Sequence, residues 1–194
     1  MKDFIFIIGP SGVGKTTLAK ELFKHYKGVY FEQNMIPEFH ISNNVDEGKY
    51  EEEVLWESSI ELLKYFYNKG LKNVIALDFN DIRTKEIPII FKGKNFITLK
   101  LICSDYEQIK DQMISRGKKG LIDLKLLKIS CEKITNRELL PNEVLLDVAG
   151  KSAEKVLKEA INIIDNYESK MDYTYIEPSK ELFYSWVQSD GLRE

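Results

Sequence analysis

Apolar residues occur along the chain in two forms: short unbroken runs, and longer stretches in which they return every three or four positions. The first form is typical of strands buried on both faces, and the second of amphipathic helices. The runs predict five strands, at residues 4–8, 29–31, 73–78, 96–103 and 144–148. The periodic stretches predict helices at 15–26, 50–68, 104–116, 121–137 and 152–164. Alternating strands and helices predict a three-layer α/β/α fold with a five-stranded, mainly parallel sheet.

Local signals mark the ends of several elements. Gly70 follows the long second helix, where a C-terminal glycine is expected. Ser104 and Glu107 form a capping-box pattern at the start of a later helix. Residues 33–48 contain Pro, Asn and Gly without a clear period and predict a loop with at most one turn.

The last 28 residues differ from the rest of the chain. They hold six aromatic residues, which is too many for a disordered tail: Tyr167, Tyr173, Tyr175, Phe183, Tyr184 and Trp186. We therefore expect one domain over residues 1–166 and an appendage over 167–194 that packs on it. A dimer contact or a cover over the substrate is the alternative role for this segment.

A glycine-rich loop separates the first strand from the first helix and reads Gly9-Pro-Ser-Gly-Val-Gly-Lys15-Thr16-Thr17. It fits the P-loop pattern G-x-x-x-x-G-K-[ST] at every fixed position and in the required strand-to-helix context. Glycines allow successive N–H groups to point inward around an anion, and the helix start adds a positive dipole end. We expect nucleotide contacts from Gly9, Ser11, Gly12, Val13, Gly14, Lys15, Thr16 and Thr17, with ATP as the nucleotide.

The P-loop pattern implies a metal site beside the phosphates. The Thr16 hydroxyl is expected to bind Mg²⁺, and an acidic residue at the end of another core strand usually completes such a site. Asp78 closes the run "VIALD" and is the leading candidate, although it is also suited to capping the following turn. Glu32 follows the second strand and is expected at the same sheet edge.

Composition narrows the partners. The chain has 194 residues, with 28 Lys and Arg against 31 Asp and Glu, so it lacks the basic excess typical of nucleic-acid binding. No apolar run approaches the ~20 residues that a membrane span needs. The two cysteines, Cys103 and Cys131, have no metal-ligand spacing and are interpreted as reduced thiols in the core. We expect a cytoplasmic protein with a small-molecule partner, as a monomer or a homodimer.

The chain resembles the small P-loop kinases, the group of nucleoside monophosphate, shikimate and gluconate kinases. The loop spelling "GPSGVGKTT" is especially like that of guanylate kinase. The segment "LICSDYEQIKDQMISRG" is similar to the strand, helix and arginine that lead into the mobile lid of these enzymes. The segment "LLDVAGKSAEKVLKEAINII" is similar to their closing strand and helix, and the resemblance covers residues 1 to about 166.

The resemblance implies roles for further residues. Arg116 resembles the lid arginine of a lid at about 116–122, and Arg137, beyond the lid, resembles its partner; both are expected to stabilise the transferred phosphoryl group. Gly150 and Lys151 resemble the loop that borders the adenine. Residues 32–69 correspond to the acceptor region, where Glu32 would act as the catalytic base or as a metal ligand.

The acceptor side departs from the family pattern. Shikimate kinases end the second strand in an Asp-x-Asp pair, whereas this chain has Glu32 and Asn34. Residues 28–70 contain no Arg, so the clamp for an anionic acceptor is missing there. A neutral hydroxyl acceptor would suit a pocket with Glu32, Glu38, His40 and Trp56, and an anionic acceptor would have to rely on Arg83 and lysines.

Other P-loop classes fit the sequence less well. The Asn/Thr-Lys-x-Asp guanine motif of Ras-like GTPases and the signature motif of ABC ATPases are both absent from the sequence. The sequence therefore favours an ATP-dependent phosphotransferase that moves the γ-phosphoryl group to a small molecule. A non-catalytic P-loop nucleotide-binding module is the rival interpretation.

Overall fold

The computed structural model describes residues 2–37, 45–77, 81–115, 117 and 123–176. The strands are β1 Phe4–Ile8, β2 Val29–Glu32, β3 Asn73–Ala76, β4 Phe96–Ile102 and β5 Glu143–Asp147. The helices are α1 Lys15–Tyr26, α2 Val45–Asn68, α3 Asp81–Ile90, α4 Tyr106–Ser115, α5 Leu124–Asn136 and α6 Ala153–Asn166. A single 3₁₀ turn, Gln33–Met35, follows β2.

The five strands form one sheet in the order β2-β3-β1-β4-β5, and every neighbouring pair is parallel. The predicted α/β class and five-stranded sheet are therefore confirmed. Because all strands run in the same direction, their carboxyl ends meet at one edge of the sheet and their amino ends at the other. We call these the carboxyl edge and the amino edge.

The sheet is covered on both faces, as its apolar strands require. Residues of β1 alternate between two core clusters: Ile5 and Ile7 pack with side chains of α1 and α6. Phe4, Phe6 and Ile8 pack with side chains of α2 and α3. Every residue of β1 is buried, which explains why its sequence is a continuous apolar run rather than an alternating one.

Some predicted boundaries differ from the structure. Helix α3 was not predicted, because Pro88 lies inside it and its flanks are rich in turn-forming residues. Helix α2 begins at Val45, within the predicted loop, so Gly48 does not stop it. The cap of α4 is Asp105 rather than Ser104, since the Asp105 Oδ1 accepts from the N–H groups of Glu107 at 3.1 Å and Gln108 at 3.3 Å.

The first part of the C-terminal segment lies along the amino edge. Asn142, just before β5, accepts from the Lys170 N–H at 2.7 Å and donates its amide to the Lys170 carbonyl at 2.9 Å. Further along, the Tyr173 hydroxyl donates to the Pro88 carbonyl of α3 at 2.6 Å. Residues 177–194, including Phe183, Tyr184 and Trp186, lie outside the described residues.

Two smaller findings bear on the sequence analysis. None of the helices in the described ranges is both long and apolar enough to cross a bilayer.

Cys103 and Cys131 are free and buried, and both belong to the core cluster that includes α1 and α6, which confirms the interpretation as core thiols. Burial raises the pKa of Cys131 to about 11, so this thiol stays protonated near neutral pH.

Candidate active site

The loop after β1 has three positions at which the backbone adopts a conformation that favours glycine. Gly9, Gly12 and Gly14 have φ angles of 154°, 86° and 99°, in the region that L side chains rarely adopt. A Cβ on Gly9 would lie 2.7 Å from the Leu101 carbonyl, and one on Gly12 would lie 2.7 Å from the Met113 sulfur. The two fixed glycines of the P-loop pattern, Gly9 and Gly14, are therefore explained by backbone shape, together with the close approach of β4 at Gly9; the further glycine, Gly12, is required by the close approach of α4.

Helix α1 starts directly from this loop. Its N-cap is Gly14, and among the described residues no side chain caps the helix. The first N–H groups of a helix have no partners inside it and attract anions. Thr16 and Thr17 are exposed in the first turn, whereas Val13 is buried in the core and anchors the loop.

Lys15 lies across the loop. Its ammonium donates to the Gly9 carbonyl at 2.9 Å and to the Pro10 carbonyl at 3.3 Å. The side chain is half-buried, and it is held by the carbonyls of the loop rather than by the core. Thus a positive charge, uncapped helix amides and glycine-shaped backbone lie together at the carboxyl edge, which is a suitable arrangement for a phosphate group.

Glu32 ends β2 at the same carboxyl edge. It is half-buried, and its Oε1 accepts a hydrogen bond from the Tyr30 hydroxyl two residues earlier. Burial raises the pKa of Tyr30, and the hydrogen bond to Glu32 adds to this effect, so Tyr30 keeps its proton and remains the donor. The lone pairs that Tyr30 does not use leave this carboxylate capable of accepting a further proton or hydrogen bond.

Several predicted residues lie outside the described residues. These are Asp78, Arg116, Glu38, His40 and most of the predicted lid, of which only Gly117 is described. The chain leading to Asp78 is described as far as Leu77, whose N–H donates to the Ile7 carbonyl of β1 at 3.0 Å. The expected metal ligand therefore follows a strand that is directly adjacent to the one leading into the P-loop.

The structure corrects the role predicted for Arg137. Its guanidinium binds both oxygens of Glu143, at 3.0 and 2.6 Å, at the first residue of β5. Glu143 is level with Thr98 of β4, which is level with Phe6 of β1. The P-loop begins at Gly9, three residues beyond Phe6, which is about 10 Å further along the strand than the level of Glu143. Because β5 is two strands from β1, the loop is also about 10 Å from Glu143 across the sheet. Arg137 is thus held in an ion pair at the amino edge, rather than beside the phosphate-binding loop as predicted.

The predicted adenine loop lies at the carboxyl edge of β5. Gly150 has a φ of 64°, and its N–H donates to the Gln108 side chain of α4 at 2.8 Å. The Lys151 ammonium is paired with Glu159 of α6. Burial favours the neutral acid of Asp147, but hydrogen bonds from Ser104 and Ala149 outweigh burial and hold the pKa of Asp147 below its ordinary value.

A buried charged pair lies on α3. The Arg83 guanidinium of α3 contacts both oxygens of Glu86 at 3.3 Å, with side-chain exposures of 7% and 11%. It also lies 5.8 Å from the ring of Trp56 on α2. The Trp56 Nε1 is buried without a hydrogen-bond partner among the described residues.

Sequence reasoning missed Glu86, Gln108 and Lys100. Lys100 is almost fully buried in β4, and its ammonium donates to the Arg137 carbonyl at the end of α5. A lysine inside the run "FITLKLIC" is itself a signal, because an unpaired buried charge is too costly to retain. Glu86 and Gln108 give no comparable signal, since their partners are set only by how the helices meet.

The described residues do not contain a group of three or more His, Cys, Asp or Glu side chains arranged to hold a metal ion. A metal at a P-loop is instead held largely by the Ser or Thr hydroxyl and the phosphates. The exposed Thr16 is compatible with that arrangement, and Asp78 and Arg116 are not needed to form the cradle itself.

Comparison with known proteins supports the assignment of the fold. No protein-family model and no curated protein sequence matches the chain. Among solved structures, a gluconokinase from Sinorhizobium meliloti 1021 is similar with a TM-score of 0.60 and 13% identity, over 84% of this chain and 92% of that chain. A sugar kinase from Janibacter sp. HTCC2649 gives a TM-score of 0.62 and 18% identity, over 85% and 95%. The thymidylate kinase from Candida albicans gives 0.55 and 17%, over 87% and 97%. At these identities the likeness concerns the fold, and the chain has the fold of the small P-loop kinases.

Proposed function

We propose that this protein is an ATP-dependent phosphotransferase that moves the γ-phosphoryl group to a hydroxyl of a small molecule. The observation that carries the proposal is the loop after β1, in which the ammonium of Lys15, the glycine-shaped backbone and the uncapped start of α1 converge. These groups suit the negative charge of a triphosphate. The fold shared with sugar and nucleotide kinases agrees with this function.

The loop residues would have separate tasks. Backbone N–H groups of the loop and of the first turn of α1 would bind phosphate oxygens, and Lys15 would exchange its carbonyl contacts for them. The Thr16 hydroxyl would hold Mg²⁺, with Asp78 as the expected second group. When bound, MgATP supplies the transferable phosphoryl group, and Arg116 is expected to add positive charge beside it.

Glu32 is our candidate for the base. It lies at the carboxyl edge and binds the Tyr30 hydroxyl through one oxygen, so the carboxylate retains acceptor capacity for the proton of an acceptor hydroxyl. A general base contributes mainly to the chemical step, typically by ~10²–10⁴-fold. The Tyr30 hydrogen bond would hold the carboxylate in a fixed orientation.

The charge balance on the acceptor side favours a neutral acceptor, such as a nucleoside or a sugar. The one described arginine near Trp56, Arg83, is matched by the Glu86 carboxylate at 3.3 Å. A matched buried pair adds little net charge, so it would attract an acceptor phosphate or carboxylate less than a lone guanidinium would. The buried Trp56 N–H is a neutral donor in the same region.

An acceptor screen tests this function. ADP release is measured with Mg²⁺ and ATP against neutral polyols, sugars and nucleosides, and against their phosphate and carboxylate counterparts. We expect stimulation by a member of the neutral set. Stimulation only by the anionic set would overturn the neutral acceptor, and ATP binding without any acceptor-stimulated release would favour a non-catalytic binding module.

Glu32→Gln tests the base with the same assay. We expect kcat to fall by roughly 10²-fold with little change in ATP affinity, because the amide cannot take a proton. Tyr30→Phe is the matched control, since it removes the hydroxyl but leaves the carboxylate, and it should keep most of the activity. Equal losses in the two variants would mean that the pair is structural and that another group is the base.

A further inference from the structure

The loop that joins β5 to α6 spans residues 148–152 and uses most of its backbone donors internally. Four consecutive N–H groups, those of residues 148–151, each donate to an acceptor of the protein. The bonds are Val148 N–H to the Ile102 carbonyl at 2.9 Å, Ala149 N–H to the Asp147 carboxylate at 3.0 Å, Gly150 N–H to the Gln108 side-chain oxygen at 2.8 Å, and Lys151 N–H to the Val148 carbonyl at 3.1 Å. Residues 148–151 therefore have no backbone N–H left for a ligand.

In contrast to its N–H groups, two carbonyl oxygens of this loop have no hydrogen-bond donor among the described residues. No described residue donates to the carbonyl oxygens of Ala149 or Gly150. Gly150 is exposed, and its left-handed backbone at a φ of 64° turns the chain at this point. A ligand that reaches Ala149 and Gly150 would therefore meet carbonyl acceptors and no free amide donors.

Two side chains, Asp147 at the end of β5 and Gln108 of α4, hold the loop in this state. Asp147 accepts from the Ser104 N–H at 3.1 Å, which ties β5 to the end of β4. Gln108, in the first turns of α4, supplies the acceptor for Gly150. Of the four bonds, this is the only one whose acceptor is a side chain from another element, so it is the one that a single substitution can remove without altering the loop sequence.

The loop is within reach of a nucleotide bound at the P-loop. β5 is two strands from β1, and both strands end at the carboxyl edge. Two strand spacings amount to about 10 Å, a span that a nucleoside triphosphate can bridge from its phosphates to its base. The bases differ at one relevant position, because adenine carries a 6-amino donor where guanine carries a 6-oxo acceptor.

We propose that Gln108 is a positioning residue that determines nucleotide specificity: by engaging the Gly150 N–H, it leaves a loop of carbonyl acceptors that takes adenine and disfavours guanine. The 6-amino group of adenine can donate to these carbonyls. The 6-oxo group of guanine would face other oxygens and find no donor. This inference rests on the proposed function, since it requires that a nucleotide binds at the P-loop.

The test compares the binding of ATP and GTP by isothermal titration calorimetry with Mg²⁺, which does not require an acceptor. The full chain should bind ATP more tightly than GTP. In Gln108→Ala the Gly150 N–H is released and can donate to the guanine oxygen, so the preference for ATP should fall roughly tenfold, as expected for one exchanged hydrogen bond. Gln108→Glu keeps an acceptor for Gly150 and should keep the preference.

A control variant separates specificity from general damage to α4. Gln112→Ala changes an exposed glutamine one turn further along the same helix and should leave both affinities unchanged. Hydrogen exchange of the Gly150 amide gives a second measurement that needs no nucleotide, and it should be faster in Gln108→Ala than in Gln108→Glu.

The outcomes separate this inference from the proposed function. Tight nucleotide binding with an unchanged ATP preference in Gln108→Ala, or with the same loss in Gln108→Glu, would overturn the inference alone. A wild-type preference for GTP would also overturn it. Absence of binding of both nucleotides to the wild-type chain would overturn the proposed function together with the inference.

Discussion

The two edges of the sheet hold cationic side chains in contrasting surroundings. At the carboxyl edge, the Lys15 ammonium contacts backbone carbonyls of its own loop, next to the exposed Thr16. At the amino edge, Arg137 is held by both oxygens of Glu143, with side-chain exposures of 10% and 0%. At the amino edge a carboxylate neutralises a buried guanidinium, and this pair stabilises the fold around it. The carboxyl edge combines a lysine with the uncapped start of α1, an arrangement that suits an anion.

The buried lysine of β4 belongs to the amino-edge network. Lys100 donates to the carbonyl of Arg137 just beyond the end of α5, where the helix leaves carbonyl groups without internal partners. Glu143 also accepts from the Leu140 N–H at 2.9 Å. These contacts fix the connection from α5 to β5. A cation in this position contributes to stability through a partner that is part of the chain.

The largest effect that the comparison predicts is at Lys15. Lys15→Ala should lower phosphoryl transfer by roughly 10³-fold or more, because a charge facing the phosphates is lost. The melting temperature should change little, since the side chain leaves no cavity in the core. Lys24→Ala, an exposed lysine of the same helix, is the control and should be near wild type in both measurements. Cooperative unfolding at a much lower temperature in Lys15→Ala would contradict the proposed division between the edges.

The next largest effect is expected at Arg137, where a substitution should lower stability rather than activity. Arg137→Ala leaves the buried Glu143 carboxylate without its main partner and should lower the free energy of unfolding by about 3 kcal/mol. Activity per folded molecule should be retained. Urea denaturation and kcat measured on the folded fraction check both points.

A double variant sharpens this prediction. Arg137→Ala with Glu143→Ala removes both charges and should recover part of the lost stability, because no unpaired carboxylate stays buried. If instead kcat falls in Arg137→Ala by as much as in Lys15→Ala, Arg137 would act in catalysis despite its position.

The smallest expected effect concerns Asn142, where the C-terminal segment is attached to the amino edge. Asn142 has a φ of 59° and makes two hydrogen bonds with the backbone of Lys170. Asn142→Ala should cost about 2 kcal/mol, from backbone strain together with the lost hydrogen bonds. Asn142→Gly removes the strain but not the loss of contacts and should cost about half as much. ATP affinity should be unchanged in both variants, and a weakened affinity would mean that the two edges are coupled.

The elements that were predicted correctly from the sequence are specified by residues close together in the chain. The run Phe4–Ile8 and the loop up to Thr16 specify a buried strand, three glycine conformations and a helix start within 13 residues. Helix α6 likewise has its own cap, since the Ser152 hydroxyl accepts from the Lys155 N–H at 3.3 Å. Helix α3 was missed because it contains Pro88 and its buried side chains include the polar Arg83, Thr84 and Glu86, so neither periodicity nor composition marks it.

The residues that were misassigned or overlooked depend on partners far along the chain. Arg137 was predicted to act with the lid because it follows the lid segment in the sequence. Its actual position is set by its partner Glu143, which the register of β4 and β5 places at the amino edge. Gln108 is 42 residues from Gly150, and the contact exists because α4 and the β5 loop meet at one edge. The order of residues along the chain predicts the strands and their parallel direction. It does not specify which side chains from separate β-α-β units come into contact.

By itself the sequence determined a parallel α/β sheet, a loop built to hold phosphate, and the residues of that loop, because each of these depends on residues close together in the chain. Only the tertiary structure decided that Arg137 is paired with Glu143 at the amino edge and that Lys15 lies against the carbonyls of its own loop. It also decided which loop donors are engaged and that the charges of Arg83 and Glu86 are matched. The physical reason is that charge compensation and hydrogen-bond satisfaction depend on three-dimensional distance, and the spacing of residues along the chain does not encode it.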